Sequence, residues 1–156
     1  MNTSRHHSPK MTSLRKRYHG ATERMHTDAF SRAYMVAALW SSVDDDGEPL
    51  DKDRDVDDID RATFGRMIRD CRAFQKKARA DLRGNSDEYA HLKDRNDLRA
   101  ISDEKAGHDF WLTRNGHGVG FWDRGLGARG DRLSKIAETF GGFDLYVGDD
   151  GKIHGS

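Results

Sequence analysis

The order of apolar and polar residues predicts two amphipathic helices in the first half of the chain. The first is predicted over 28–41, where Asp28 can cap the start. The second is predicted over 60–83, where Asp60 can cap the start and Gly84 ends the pattern. In both segments the apolar or small residues recur at the spacing of one helical face: Phe30, Ala33, Tyr34, Ala37 and Ala38 in the first, and Phe64, Met67, Ile68, Cys71, Phe74, Ala78 and Leu82 in the second.

The pattern changes at Gly107, where aromatic and β-branched residues begin to alternate with polar ones. The dipeptide Asn115-Gly116 lies between two such runs, and Asn-Gly favours the tight turn of a β-hairpin because both of its residues accept a positive φ. We therefore predict strands over 108–114 and 119–124 that pair antiparallel.

The remaining segments complete a mixed fold. A weaker helix is predicted over 86–101, because its apolar positions are sparse, and another within 130–142. A strand over 143–147, a turn at 148–151 and a short final strand follow. The sequence thus predicts an α+β fold, in which two or three N-terminal helices pack on a small antiparallel sheet formed by the hairpin, a helix and the terminal strand pair.

Length and composition favour a single domain in a reducing compartment. The chain has 156 residues, which suits one domain, and a single cysteine, which excludes a disulfide framework. The longest uninterrupted apolar run, Tyr34 to Trp40, is too short to cross a bilayer. We expect a cytoplasmic protein that does not enter membranes.

The charges balance over the whole chain but are strongly segregated along it, with 27 basic and 27 acidic residues. Residues 1–28 carry six Lys or Arg against two acidic residues and show no apolar periodicity, so we expect a mobile basic tail there and a single α+β domain over 29–156. Residues 43–60, called the acidic loop below, carry ten Asp or Glu against two basic residues. Gly47 and Pro49 prevent a continuous helix in this segment.

Two long motifs carry a resemblance to a known group of proteins. The segment GHDFWLTRNGHGVGFWDRG at 107–125 and the segment DLYVGDDGKI at 144–153 resemble a family of small uncharacterised proteins of bacteriophage and plasmid genomes. The segment YMVAALWSSVDDDGEPLD at 34–51 resembles the same family, so the similarity extends over about residues 30–154. The resemblance implies a mobile-element origin and a bacterial cytoplasmic location. It implies no activity, because none is established for the family.

The acidic loop is the first candidate for partner binding. Carboxylates spaced along a rigid surface can imitate nucleic-acid phosphates and occupy a basic groove. A solvated loop that caps its neighbouring helices is the simpler interpretation, and an EF-hand calcium loop is not predicted, because Ser42 stands at its first ligand position. The candidate residues of the loop are Asp44, Asp45, Asp46, Glu48, Asp51 and Asp53.

The aromatic segment after Gly107 is the second candidate. Its aromatic residues can form core and cross-strand pairs, or remain exposed and contact a partner. A catalytic interpretation makes His117 a general base beside Asp109 or Asp123, or makes His and Asp residues of this segment ligands of a hydrolytic metal. His108, His117 and His154 could converge on one edge of the sheet for the same purpose. The residues assigned to partner binding are Trp111, Arg114, His117 and Trp122.

The basic side of the helix predicted over 60–83 is the third candidate. Several Lys or Arg on one helix can follow a phosphate backbone, although pairing with the acidic loop would explain the same residues without a ligand. The residues concerned are Arg66, Arg69, Arg72, Lys76, Lys77 and Arg79.

These features favour a non-enzymatic protein of a mobile element that binds a host macromolecule. Its most concrete form is an inhibitor of a defence nuclease complex of the restriction or CRISPR type. A nucleic-acid-binding accessory protein is the alternative. A small metal-assisted hydrolase is only the third hypothesis, because none of the common nucleophile, P-loop or zinc-protease motifs occurs in the sequence. We predict no cofactor and no bound metal, and the short edge strands are compatible with a homodimer.

Overall fold

The computed structural model describes residues 26–83 and 101–156. Within them, helices combine with a two-stranded antiparallel sheet, as the α+β prediction requires in outline. The helices are not confined to the N-terminal half, however, because two of them follow residue 101. The elements are α1 (Ala29–Ser41), α2 (Arg61–Lys77), α3 (Arg79–Arg83), α4 (Asp103–Arg114), α5 (Ala128–Glu138), β1 (Leu145–Val147) and β2 (Ile153–Gly155).

The two predicted N-terminal helices are present with the predicted caps. The Asp28 side chain accepts a hydrogen bond of 2.8 Å from the Ser31 amide at the start of α1. The Asp60 side chain accepts hydrogen bonds from the amides of Ala62 and Thr63 at the start of α2. The second helix is shorter than predicted, because it ends at Lys77 and the chain turns at Ala78 before α3.

The predicted hairpin is wrong, because residues 103–114 form the helix α4. Its N-cap is Ser102, whose hydroxyl accepts a hydrogen bond from the Lys105 amide, and two acidic residues in the first turn favour a helix start through the helix dipole. Asn115 ends the helix and Gly116 follows with a φ of 71°, so Asn-Gly stops a helix here. The second predicted strand is replaced by a 3-10 turn at Phe121–Arg124.

The core is built where α4 crosses α1. Gly107 allows the backbones to approach closely, since a β carbon at this position would lie 2.0 Å from the carbonyl oxygen of Phe30. Around this crossing the ring of Phe110 lies 4.2 Å from Phe74 and 5.1 Å from Tyr34, between centroids. The core is therefore an aromatic cluster shared by α1, α2 and α4.

A buried arginine joins these helices to the segment after α5. The Arg114 guanidinium, 6% exposed, lies 2.8 Å from both the Asp70 carboxylate and the Tyr34 hydroxyl. It also donates to the carbonyl oxygens of Gly141, at 2.9 Å, and Phe140, at 3.1 Å. Burial raises the pKa of Tyr34, so its hydroxyl keeps its proton and accepts from the arginine. Every polar contact of this cation is thus made inside the protein.

The C-terminal part follows the prediction closely. Helix α5 begins at Ala128, two residues before the segment predicted for it, and overlaps the rest of it as far as Glu138, and β1 and β2 pair antiparallel with Tyr146 opposite His154. The turn between them contains Gly151 with a φ of 76°. An isolated parallel bridge between Ile59 and Ile153 connects the pair to the chain just before α2. The sheet therefore lies beside the end of the acidic loop.

Parts of the predictions concern residues outside the described ranges. The basic tail is described only from residue 26, and the helix predicted over 86–101 only at its last residue. Across the described ranges, no helix combines the length and apolar character needed to cross a membrane.

Candidate functional site

The acidic loop has a defined backbone that its own residues stabilise. A bridge pairs Val43 with Pro49, and the Asp44 amide donates to the Glu48 carbonyl oxygen at 2.9 Å. Gly47 supplies the positive φ, 79°, that closes this turn. Two 3-10 turns, Leu50–Lys52 and Val56–Asp58, carry the chain onward to α2.

Some of the loop carboxylates are used to stabilise this backbone. The Oδ1 atom of Asp44 accepts the amides of Asp46, at 2.9 Å, and Glu48, at 3.0 Å. Asp55 and Asp58 form a reciprocal capping box around the second 3-10 turn. We therefore assign Asp44 a structural role, which differs from the partner-binding role predicted for it.

The other candidate carboxylates point to solvent. Glu48 forms an ion pair with Lys52 at 3.1 Å, and Asp53 forms one with Arg54 at 2.8 Å. Both partners of each pair belong to the acidic loop. Such exposed pairs contribute little stability and exchange readily for a partner's charges. The exposed carboxylates, called the acidic face below, are Asp45, Asp46, Glu48, Asp51 and Asp53.

An exposed apolar stripe leads from α1 into the acidic loop. Val36 and Trp40, 51% and 43% exposed, lie one turn apart in α1, and Val43, 54% exposed, follows the end of the helix in the acidic loop. The Trp40 ring stacks on the His108 ring of α4, with centroids 5.8 Å apart and planes 26° apart. Trp40 is therefore held in place while much of its surface faces solvent, as is typical of an anchoring residue in a protein interface.

A buried carboxylate fixes the side chains next to Trp40. Asp109 accepts hydrogen bonds of 3.0 and 2.8 Å from Arg124 and lies 3.2 Å from the His108 Nδ1 atom. The hydrogen bonds that Arg124 donates to Asp109 raise the pKa of the arginine. Trp122, 42% exposed, lies two residues from this arginine. The cluster therefore holds the Arg124 guanidinium in place.

Two of the residues predicted to bind a partner lie in the core instead. Trp111 is 1% exposed and donates its indole N–H to the Ser41 hydroxyl at 2.8 Å. Arg114 is enclosed by the contacts described above. Both were assigned to a hairpin that does not form, and helix α4 turns them inward. His117 and Trp122, by contrast, are exposed as a binding role requires.

The catalytic arrangement proposed for the hairpin is not assembled. The Asp109 carboxylate, one of the two proposed neighbours of His117, is engaged by Arg124 and His108. The three histidines have different surroundings: His108 lies on Trp40, His117 in the exposed turn after α4, and His154 in β2. They do not form the shared metal site considered from the sequence.

The basic side of α2 is exposed, although part of it is engaged. Arg66 donates to the Gly155 carbonyl oxygen at 3.2 Å and covers the Phe143 ring, while Lys77 covers the Phe140 ring. The other candidate cations also face solvent, and a groove of about 370 Å³ lies at the junction of α2 and α3. These outward-facing cations are Arg69, Arg72, Lys76 and Arg79.

Comparison with known proteins gives no match: no protein-family profile, no curated protein and no solved structure is detectably similar to this chain. The resemblance to phage and plasmid proteins remains a prediction. Any functional argument therefore depends on the surfaces described here.

The apolar stripe contains the residues that sequence reasoning missed. The run YMVAALW is apolar at every position, whereas one buried helical face needs only some of them. Val36 and Trp40 are the positions left over when the buried face is assigned to Tyr34, Ala37 and Ala38. This excess of apolar residues was a signal for an exposed surface.

Proposed function

We propose that this chain is a non-enzymatic protein of a mobile genetic element that binds a host protein through the acidic face and the apolar stripe. The observation that carries the proposal is the ordered acidic loop, whose turns and caps hold five exposed carboxylates on a fixed backbone. The most concrete partner is a defence nuclease complex of the restriction or CRISPR type.

The chemistry of such a partner suits this surface. A nuclease groove carries Lys and Arg that neutralise the phosphates of its substrate, and closely spaced carboxylates can occupy the same groove. Because the backbone of the loop is already ordered, binding does not have to supply that ordering free energy. The carboxylates favour fast association, and Trp40, 43% exposed near the end of α1, supplies apolar area.

A charge-reversal experiment tests the proposal. Phage or plasmid survival is measured in bacteria that carry one defined restriction or CRISPR nuclease and express the full chain, and purified nuclease is titrated with the same protein. The triple variant D45K/D46K/E48K should lose protection and weaken nuclease binding at least about tenfold, because the partner's cations then meet like charges. Glu138, Asp144 and Asp149 are exposed acids outside the acidic face, so E138K/D144K/D149K is a control with the same change in net charge.

The outcomes separate the acidic face from general electrostatics. Loss of protection and binding in the first triple variant alone supports the proposal. Equal loss in both variants shows that net charge suffices, and unchanged binding in both shows that the loop is only a solvated surface. Either of the last two results overturns it.

Nucleic-acid binding is the second candidate function, favoured by the exposed cations of α2. It predicts that affinity for a duplex, measured by fluorescence anisotropy, falls steeply with salt and that R69E/R72E/K76E abolishes it. A pull-down with and without nuclease digestion distinguishes the two: a partner protein that survives digestion supports the first function, and proteins lost on digestion support the second.

A further inference from the structure

The C-terminal strand pair meets the start of α2 through backbone contacts. The Asp60 amide donates to the Ile153 carbonyl oxygen at 2.7 Å, next to the bridge between Ile59 and Ile153. Asp60 and His154 are therefore neighbours across a junction that the backbone fixes independently of their side chains. Their relative position is built into the fold.

Three potential metal ligands converge at this junction. Asp60, Asp150 and His154 each offer one ligand atom, and these atoms lie within 4.8 Å of one another. The Nε2 atom of His154 is 2.9 Å from the Asp150 carboxylate, and its Nδ1 atom is 3.8 Å from that of Asp60. The residues come from the N-cap of α2, the turn after β1 and the strand β2.

The surroundings fix the imidazole in this position. The His154 ring stacks on the Tyr146 ring, with centroids 5.7 Å apart. On another side it occupies space that only a glycine leaves open, since a β carbon on Gly148 would lie 2.6 Å from its Cδ2 atom. A ligand whose ring is held by packing meets an ion without losing further conformational freedom.

The carboxylates are also oriented. The Asp150 Oδ1 atom accepts the Lys152 amide at 3.0 Å. The cap hydrogen bonds of Asp60 go to its Oδ2 atom, the same oxygen that lies 3.8 Å from His154 Nδ1, and they hold this carboxylate in place. The Asp60 and His154 side chains are about a quarter exposed and that of Asp150 is 50% exposed, so solvent reaches the cluster from the side of the turn.

We propose that Asp60, Asp150 and His154 bind one divalent transition-metal ion, with zinc as the best fit. One neutral imidazole and two carboxylates bring a charge of −2 and the mixed nitrogen and oxygen donors that suit zinc. Two ligands each about 2.1 Å from a tetrahedral zinc ion lie about 3.4 Å apart, so the 2.9 Å between His154 Nε2 and Asp150 has to widen by about half an ångström. The exposed Asp150 side chain has room for this shift, the wider separation of Asp60 from His154 closes only when the Asp60 side chain also moves, and water completes the coordination.

The bound ion would join the strand pair to the start of α2. It would replace the direct contacts that His154 makes with the two carboxylates. The proposal is independent of the proposed function, because none of the three residues belongs to the acidic face or the apolar stripe.

The test uses the full chain without a polyhistidine tag, treated with a chelator and titrated with Zn²⁺ at pH 7.5 by calorimetry and thermal unfolding. We expect binding of one equivalent, and a rise in Tm of about 5–10 °C at a free Zn²⁺ concentration 100-fold above Kd. Substitution of Co²⁺ should give a visible absorption band that H154Q abolishes. These readouts do not depend on activity or on a partner.

Three variants separate ligation from folding. D60S removes a carboxylate but keeps a residue that caps helices well, and D150N changes an exposed turn residue. Each should weaken Zn²⁺ binding at least about tenfold, whereas the control H117Q, in an exposed turn elsewhere, should bind as the parent chain does. Absence of Zn²⁺ binding by the parent chain, or undiminished binding by D60S and H154Q, would overturn the proposal and assign His154 to an ion-pair role.

Discussion

Replacing Gly107 with alanine tests how closely α1 and α4 pack. A β carbon at this position would lie 2.0 Å from the Phe30 carbonyl oxygen and 3.1 Å from the Tyr34 amide nitrogen. Helix propensity alone predicts stabilisation, because alanine is favoured over glycine inside a helix by about 1 kcal/mol. The sign of the change in unfolding free energy therefore shows which effect is larger at this position, the helix propensity of alanine or its steric clash with α1.

The structure indicates that the tertiary effect is larger. Ordinary contacts of a β carbon begin near 3.4 Å, so the backbone at Phe30 would have to withdraw by more than ~1 Å. Backbone atoms cannot rotate away as a side chain does, and a shift of α1 would loosen the contacts of Tyr34 with Phe110 and Trp111, whose centroids lie 5.1 and 5.2 Å away. Overpacking costs about 1–3 kcal/mol and more where backbone must move. We expect Gly107→Ala to lose about 2 kcal/mol net, or about 5 °C in Tm.

Urea and thermal unfolding, followed by far-UV circular dichroism, measure this loss. Gly65→Ala in α2 is the matched control, because the nearest atom to its new β carbon is the flexible Arg69 Nη1, 3.7 Å away. This control should gain about 0.5–1 kcal/mol from propensity. The reasoning is refuted if the Gly107 variant is as stable as the parent chain, or if both variants shift in the same direction.

Three further predictions follow from burial and charge. Trp111→Ala should lower the unfolding free energy by about 3–5 kcal/mol, whereas the half-exposed Trp122→Ala should change it by less than about 1 kcal/mol; denaturant titrations of both variants check this. Arg114→Met should cost about 3 kcal/mol or more in the same assay, since it leaves a carboxylate and several oxygens unpaired, and parent-like stability would contradict the network. Burial raises the pKa of Asp28, but the hydrogen bonds from Ser31 and Gln75, together with the nearby charge of Arg72, outweigh it and hold that pKa below the ordinary value. The ionised cap therefore stabilises the fold at neutral pH and is lost as pH falls through the lowered pKa, a loss that Asp28→Asn should not show when stability is measured from pH 7 to pH 3.

The elements with one exposed side were predictable from the sequence. In α1 and α2 the apolar residues recur on one face, and Asp28 and Asp60 mark the starts. The terminal strand pair was predictable because its turn carries the glycine that it needs. In each case the local pattern and the tertiary environment agree.

Helix α4 could not be found in the same way, because it has almost no polar face. From Ala106 to Arg114 every residue except His108 is buried. The sequence therefore lacks the alternation of apolar and polar residues with a 3.6-residue period that marks an amphipathic helix. Two of its buried polar residues, Asp109 and Arg114, are neutralised by partners distant in sequence. Asn115-Gly116 then served as the strongest local signal, although the same dipeptide also ends helices.

The candidate surface was predictable in charge but only partly in shape. The density of acids in residues 43–60 is visible in the sequence, whereas the division into capping and exposed carboxylates depends on turns that only the fold defines. The contact between Trp40 and His108 joins residues 68 positions apart, and no local sequence pattern predicts it. The exposure of Trp111 and Trp122 could not be assigned from the sequence, because it depends on residues 103–114 forming a helix and not a strand.

The position of Arg114 also constrains how the sequence can drift. One side chain satisfies groups of α1, α2 and the segment after α5, so a change at this residue leaves partners unsatisfied in three elements at once. Replacing a buried ion pair as a whole by apolar residues is often neutral, but sequences in which only one member has changed are far less stable. Asp70 and Arg114 should therefore be retained or replaced together in related sequences. A single substitution at either residue cannot lead to an equally stable apolar interior.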